Sequence, residues 1–239
     1  MSKKRGNGLI CVWTDVNPAM KEEFNAWYNE EHIPERVKEV PGILSARRYL
    51  CVEGGPQYLA VYDIKDPSVL ESKEYQEISQ RYSPRTQKVI PHFLNTVRTI
   101  YREIFEAGAP PRQDAECLLS IRINMAPQHE EQFNAWYSED HLPALAGVEG
   151  VHYARRFKAV ENAHTLQVPP GADSKDYISL LNAAEKSHRY LALYEMDSPE
   201  VMQTGAWEKA RDYGRTALIR PLFKDIERDV YKLIFSMSK

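Results

Sequence analysis

Two short stretches of the sequence carry residues that could transfer a proton. Phe24 to Pro34 reads FNAWYNEEHIP and Phe133 to Pro143 reads FNAWYSEDHLP, so eight of eleven positions are identical at a spacing of 109 residues. Each stretch places a histidine directly after an acid, as Glu31-His32 and as Asp140-His141. An imidazole has an ordinary pKa near 6.5, and an adjacent carboxylate can fix its tautomer. These residue types predict general acid/base catalysis.

The alternative interpretation is that the same residues have only a structural role, at the corner where the first helix ends. The aromatic rings would then be core, the acid would bond to arginine, and the imidazole would cap the helix end. A helical wheel puts the acid within the aromatic stripe, where an unpaired carboxylate would lose its solvation. Its candidate partners are the neighbouring histidine and the arginine pairs Arg47-Arg48 and Arg155-Arg156 of the next strand. We predict His141 with Asp140 as the main catalytic pair, and His32 with Glu31 as its equivalent.

The preference for the second copy follows from what the first copy lacks. The second half has His152 and Tyr153 where the first has Leu44 and Ser45, and it carries a net insertion of 24 residues within 161–186. Long loops in compact domains are often lids or binding loops. We expect this insertion to lie near the site. The alternative is that it is a surface addition without a role in the site, or an oligomer contact.

Aromatic and polar side chains near the two motifs could line a cavity. Tyrosines on alternate strand positions could present rings and phenols to a ligand, although packing between sheets is the alternative. Adjacent arginines on a strand point to opposite faces, so we expect one of each pair to be solvated and the other to hold an acid or a substrate oxygen. The predicted substrate-binding residues are Trp136, Tyr137, Arg155, His152, Tyr190, Tyr194, Trp27 and Tyr28.

The elements that position these residues repeat in the same order in both halves. LICVWTD (Leu9 to Asp15) matches CLLSIRI (Cys117 to Ile123), and later strands match at ARR, at YLA and near the end of each half. Each half reads as strand, helix, strand, strand, helix, strand. The first helix of each half should end or kink near its histidine, because the residue before a proline is driven away from helical geometry.

This pattern predicts a duplicated α+β protein with antiparallel sheets. We expect a first ferredoxin-like unit over 1–105, a linker over 106–115 and a second unit over 116–239 with its insertion at about 161–186. Helices cover one face of each sheet, so the bare face needs a partner.

The stretch W-Y-x-x-[ED]-H-[IL]-P, followed by PG or EG and an ARR strand, resembles the EthD-like branch of the dimeric α/β-barrel superfamily. The resemblance covers nearly everything except the linker, the insertion and the ends. It implies two ferredoxin-like units packed sheet to sheet as a barrel within one chain. Barrel relatives include monooxygenases, isomerases, cyclases, lyases and haem enzymes, so the resemblance predicts fold better than reaction.

Composition narrows the partners. A formal charge of −3 gives no basic surplus for nucleic acid, and no segment approaches 18 apolar residues. The basic start MSKKRGNG has no apolar core after it, which favours a cytoplasmic location. The three cysteines lack CxxC spacing and lie in apolar runs, which favours reduced core thiols. GxGxxG, GxxxxGK[ST] and HExxH are absent, so we expect no cofactor and no metal, with haem left open by the resemblance. Exposed strand edges would favour a homodimer.

Three functions remain open at this stage. The first is a cofactor-independent lyase or isomerase that acts on a small, largely apolar aromatic or enolisable compound. The second is a monooxygenase of the EthD-like or antibiotic-biosynthesis type. The third is a non-catalytic protein that binds a small molecule.

Overall fold

A closed barrel of eight antiparallel strands forms the centre of the protein. The computed structural model describes residues 5–111, 113–160, 173 and 187–239. Its strands are β1 (Gly8–Val16), β2 (Ile43–Glu53), β3 (Tyr58–Ile64), β4 (Phe93–Gly108), β5 (Cys117–Met125), β6 (Val151–Ala159), β7 (Tyr190–Met196) and β8 (Phe223–Ser238). Around the barrel their order is β1-β3-β2-β8-β5-β7-β6-β4.

Helices pack against the outside of the barrel in both halves. In the first half these are α1 (Lys21–Trp27), α2 (Ile33–Glu39), α3 (Lys73–Ser79) and α4 (Pro84–Val89). In the second half they are α5 (Glu130–Trp136), α6 (Leu142–Ala146), α7 (Gly205–Arg211) and α8 (Thr216–Ile219). None of the helices in the described part of the chain is long and apolar enough to cross a membrane.

Strands from the two halves pair with each other and close the barrel. β2 pairs with β8, and β4 pairs with β6. This arrangement confirms the predicted α+β class and the packing of two antiparallel sheets within one chain. Each of the eight described strands has a neighbour on both sides, so the free edges that suggested a homodimer do not exist. β4 also continues to Gly108, three residues into the predicted linker.

Three apolar cores follow from the alternation of strand side chains. One core lies between the helices and the outer barrel face in each half, and both halves share the third core inside the barrel. The shared core includes Leu9, Trp13, Tyr101, Leu118, Phe157 and Tyr231.

The cross-strand partners of β1 and of β5 correct the sequence match between these two strands by one residue. Leu9 lies opposite Asp63, and Leu118 lies opposite the equivalent Glu195. Leu9 therefore corresponds to Leu118 and not to Cys117, at the same spacing of 109 residues as the motif. A shift of one residue moves every side chain to the other face of the sheet, so the register had to be read from the cross-strand partners.

The first helix of each half does not end at its histidine. Tyr28–His32 and Tyr137–His141 form π turns that join α1 to α2 and α5 to α6. The N–H of Ile33 donates to the carbonyl of Tyr28, five residues back, and Ile33 keeps helical angles although Pro34 follows it. A proline ring crowds the carbonyl four residues before it, and the wider π turn gives that ring room. Of the predicted end or kink near the histidine, the end is wrong because the helix resumes after the π turn, while the interruption of the regular α-helix lies where it was expected.

Candidate functional site

Each half has a cavity between its first helix and the outer face of the barrel. The first has a volume of about 100 Å³ and the second about 150 Å³. The indole of Trp27 donates to the hydroxyl of Thr86 at 3.0 Å, and Trp136 donates to Thr216 at the same distance. These two bonds fix the tryptophan that forms one wall of each cavity.

In the first cavity the imidazole of His32 packs on aromatic rings. Its ring centre lies 4.2 Å from that of Trp27 and 4.9 Å from that of Tyr28. Burial holds the pKa of His32 well below its ordinary value, and the charges of Arg36 and Arg48 lower it further. The imidazole is therefore neutral at physiological pH and can accept a proton.

Phenol groups and cations complete the first cavity. The hydroxyl of Tyr62 is buried and has no hydrogen-bond partner in the described part of the chain, while burial raises the pKa of both Tyr62 and Tyr28. Arg98 donates to the hydroxyl of Tyr75 at 2.9 Å. Arg36 also lines the space, one helical turn after His32. The cavity thus combines a neutral base with several hydrogen-bond donors.

The second cavity has the same plan with fewer open polar groups. His141 stacks on Trp136 with ring centres 4.4 Å apart, and burial lowers its pKa to about 3. The Nδ1 atom of His141 is buried and has no partner. The hydroxyl of Tyr194 donates to that of Tyr137 at 3.4 Å, whereas the equivalent Tyr62 has no partner.

The acid before each histidine does not orient the imidazole. Glu31 accepts hydrogen bonds from the hydroxyls of Ser83 and Thr86. Asp140 accepts from the side chain of Arg215 at 2.7 Å and from its main-chain N–H at 3.0 Å, and these bonds lower its pKa. Both acids bind the helices that cover the cavity. The predicted pairing with histidine or with the strand arginines was wrong.

Arg48 and Arg156 attach the helix to the sheet. Arg48 donates to the side-chain oxygens of Asn25 and Asn29, each at 2.7 Å. Its guanidinium lies 4.5 Å from the centre of the Tyr28 ring, and that of Arg156 lies 4.2 Å from the Tyr137 ring. The conserved asparagine and tyrosine of each motif thus have a structural role.

Comparison with known proteins identifies the architecture. Neither a family model nor a curated protein matches the chain. Among solved structures, an anthrone oxidase-like protein is 13% identical, with a TM-score of 0.63 over 100% of this chain and 95% of its own. A putative monooxygenase from Fusobacterium nucleatum is 8% identical, with a TM-score of 0.60 over 98% and 95% of the two chains. A putative chlorite dismutase is 11% identical, with a TM-score of 0.54 over 95% and 94%.

The fold is the dimeric α/β barrel, completed within one chain. This confirms the fold that the repeated motif implied. At such low identities the similarity establishes the fold and leaves the chemistry to the residues themselves.

Inside the dimeric α/β barrel, the other arginine of each pair joins an ion network. Arg155 bonds to Asp63 at 2.7 Å and to Glu103, while Arg47 bonds to Glu195 at 2.6 Å. All four strand arginines are buried, so the expectation that one of each pair is solvated was wrong. Arg155 lies on the opposite side of the sheet from His141 and does not line its cavity.

The remaining predicted residues divide between the outer barrel face and the surface. Trp27 and Tyr28 line the first cavity, and Trp136, Tyr137 and Tyr194 line the second. Two others do not line the second cavity. His152 bonds to Asp197 at 2.6 Å on the surface, and Tyr190 accepts a hydrogen bond from Asn134 at 3.1 Å.

Sequence reasoning missed several residues of the first cavity. Arg36, Tyr75 and Arg98 line it but were not among the predicted site residues. The spacing of Arg36, four residues after His32 on a helix, was a signal that could have found it. The insertion at 161–186 lies outside the described residues, apart from position 173. Within the described residues, no group of three or more His, Cys, Asp or Glu side chains could hold a metal ion.

Proposed function

We propose that this protein is a small-molecule enzyme that removes a proton from an enolisable, largely apolar aromatic substrate, with His32 as the base and no cofactor. One observation carries the proposal. A neutral imidazole lies on Trp27 in a cavity that also holds the unpartnered hydroxyl of Tyr62. A base and a donor in one dry space are the two groups that enolisation needs.

The expected roles of these groups follow from their charge. Neutral His32 accepts the proton on the carbon next to the substrate carbonyl, and the hydroxyl of Tyr62 donates to the oxygen on which negative charge develops. Burial makes the imidazole a weak base in the empty site. An enolate next to the new imidazolium, with Arg36 lining the same cavity, offsets that penalty because opposite charges attract strongly at low dielectric.

The polar side chains that line the two cavities differ, and the difference favours the first cavity as the catalytic site. Arg36 corresponds to Leu145, and Tyr75 corresponds to Trp207, so the second cavity lacks the counterparts of this guanidinium and this phenol, although three other arginines line it. The sequence preference for His141 depended on His152, which lies at the surface, and on the insertion. His141 remains the second candidate base, favoured by its unpartnered Nδ1 atom.

Cavity size restricts the substrate. An apolar cavity of about 150 Å³ can accept benzene. The first cavity, at about 100 Å³, therefore fits a group no larger than about one ring before its walls move. We propose a substrate with a single aromatic ring.

The fate of the carbanion separates the remaining reaction classes. Internal reprotonation gives an isomerase, loss of a leaving group gives a lyase, and capture by O₂ gives an oxygenase. The solved structures described as anthrone oxidase-like and as a monooxygenase support testing the oxygen branch. A lyase or isomerase should turn over without oxygen, and an oxygenase should not.

The decisive experiment follows exchange of α-protons for deuterium in D₂O by NMR, with phenylacetone and phenylpyruvate as probes. With oxygen excluded and with probes that have no leaving group, the carbanion can only take up a proton again, so deuterium incorporation reports proton removal once the imidazole has exchanged its proton with D₂O. We expect His32→Ala to slow exchange by about 10² to 10⁴ while the protein stays folded, and His141→Ala to leave it nearly unchanged. The thermal midpoint of each variant controls for folding.

Other outcomes would assign the function differently. Loss of exchange only in His141→Ala would move the site to the second cavity. An absence of exchange in the wild type, combined with tight binding of the probes, would favour the non-catalytic binding protein.

The proposal extends to assembly and location as well. A homodimer, a small-molecule partner and a cytoplasmic location remain proposals, and the homodimer would have to form through surfaces other than the edges of the described strands. Sedimentation that shows only a 27.6 kDa species would remove the homodimer.

A further inference from the structure

We infer that the ligand of the first cavity carries a carboxylate on a single-ring aromatic body, with the carboxylate bound by Arg36 and the hydroxyl of Tyr62 donating to a ligand oxygen in the same cavity. This inference deepens the proposed function and rests on it for the location of the ligand. It is tested by binding alone, so it does not depend on turnover.

Charge in the cavity wall is the first observation. Three arginines line the first cavity, as Arg36, Arg81 and Arg98, and no Asp or Glu is among the described residues that line it. Arg81 bonds to Glu39 at 2.9 Å. Arg36 has no carboxylate within ion-pair distance in the described part of the chain, and its guanidinium donates to the main-chain oxygen of His32 at 3.3 Å.

A cation in a partly enclosed space without a counter-ion is costly, and an anionic ligand removes that cost. Arginine is suited to a carboxylate because its planar donors match the two oxygens. The position of Arg36 on the cavity wall therefore selects a ligand with a negative charge over a neutral ligand of the same shape.

Tyr62 supplies the second, independent observation. Its side chain is 3% exposed and its hydroxyl has no partner. A buried hydroxyl without a partner forfeits a hydrogen bond, which a ligand oxygen would restore. Arg36 and Tyr62 both line the first cavity. Both donors therefore act on the same region of the cavity.

The second cavity provides an internal comparison because its cations are neutralised. Arg220 and Arg211 both bond to Asp212, at 2.6 and 3.3 Å, and Arg228 bonds to Glu53. Leucine replaces Arg36 at position 145. The same fold thus has one cavity with an unneutralised guanidinium and one without.

The test measures calorimetric binding of benzoate and of benzamide, which share a ring but differ in charge. The wild type should bind benzoate at least about 10-fold more tightly than benzamide. Arg36→Leu, which introduces the residue of the second half, should weaken benzoate binding by about 10- to 100-fold and leave benzamide binding nearly unchanged. Tyr62→Phe keeps the ring and should weaken benzoate binding by about 3- to 10-fold.

Controls separate this inference from the proposed function. Arg220→Leu should leave benzoate binding unchanged, and His32→Ala should keep the preference for benzoate while proton exchange is lost. Equal affinity for the two probes, no benzoate binding, or a loss in Arg220→Leu but not in Arg36→Leu would overturn the inference. If benzoate is preferred but the wild type exchanges no α-protons, the carboxylate site stands and the proton-transfer function fails.

Discussion

His32 and His141 couple the stability of the protein to pH because burial keeps both imidazoles neutral. The pKa of His141 falls from an ordinary 6.5 to about 3 in the folded chain, and that of His32 also falls well below 6.5. Between pH 6.5 and 3 the unfolded chain therefore binds a proton at position 141 that the folded chain does not. Stability from this group is present above pH 6.5 and is lost as the pH falls toward 3.

We expect His141→Gln to reduce the acid sensitivity of folding. Between pH 7 and pH 5 the wild type should lose about 2 kcal/mol more of its free energy of unfolding than the variant, because glutamine does not titrate. Urea denaturation at several pH values measures the difference. Parallel stability curves for the two proteins would show that His141 is protonated as readily in the folded chain as in the unfolded one.

At the scale of elements, a buried arginine fixes each π-containing helix to the barrel. Arg48 makes two bonds of 2.7 Å to Asn25 and Asn29. Arg156 makes one bond of 2.8 Å to Asn134, and its contact with Ser138 is 3.4 Å. The first helix is therefore held by the stronger pair of hydrogen bonds, although both guanidiniums also lie over aromatic rings.

We expect Arg48→Met to destabilise the protein by about 3 kcal/mol, and Arg156→Met by about 1 kcal/mol less. Methionine keeps an unbranched apolar chain of similar reach, so the comparison isolates the charge and its donors. Thermal and urea unfolding of both variants give the two values. A larger loss in Arg156→Met would contradict the ranking that the bond lengths imply.

At the scale of the whole molecule, the two halves share strands, a core and an ion network. Asp63 of the first half bonds to Arg155 of the second, and Arg47 bonds to Glu195. Removing one partner from a buried ion pair typically costs several kcal/mol, so this network resists separation of the halves. The division into units at 1–105 and 116–239 stays a prediction about sequence boundaries, because the barrel itself is continuous.

We expect the halves to remain associated after the chain between them is cut. A protease site introduced between Ala109 and Ala115 should yield two fragments that elute together, because β2–β8 and β4–β6 pairing and the shared core persist. Guanidinium should then separate them. Fragments that elute apart without denaturant would show that the connection, not the interface, holds the barrel closed.

The sequence by itself determined the duplication, the order of elements and the barrel fold. Identical residues in the same order require the same local structure, and the unpaired face of each predicted sheet requires a second sheet. It also placed His32 and His141 beside a tryptophan and a tyrosine. These features depend on neighbours that are close in the chain, or on periodicity, and both can be read along one dimension.

Only the tertiary structure decided which distant groups meet those residues. The alternation of side chains along β2 does not show which of Arg47 and Arg48 points into the barrel. A one-residue error in matching β1 to β5 exchanged the inner and outer faces of the matched strand. Glu31 accepts from Ser83 and Thr86, and the Tyr62 hydroxyl has no partner among the described residues, because α4 and β3 meet the first helix only after folding. Hydrogen bonding and burial are properties of three-dimensional neighbours, so the open donors and the unneutralised cation of the first cavity appear only once the barrel has closed.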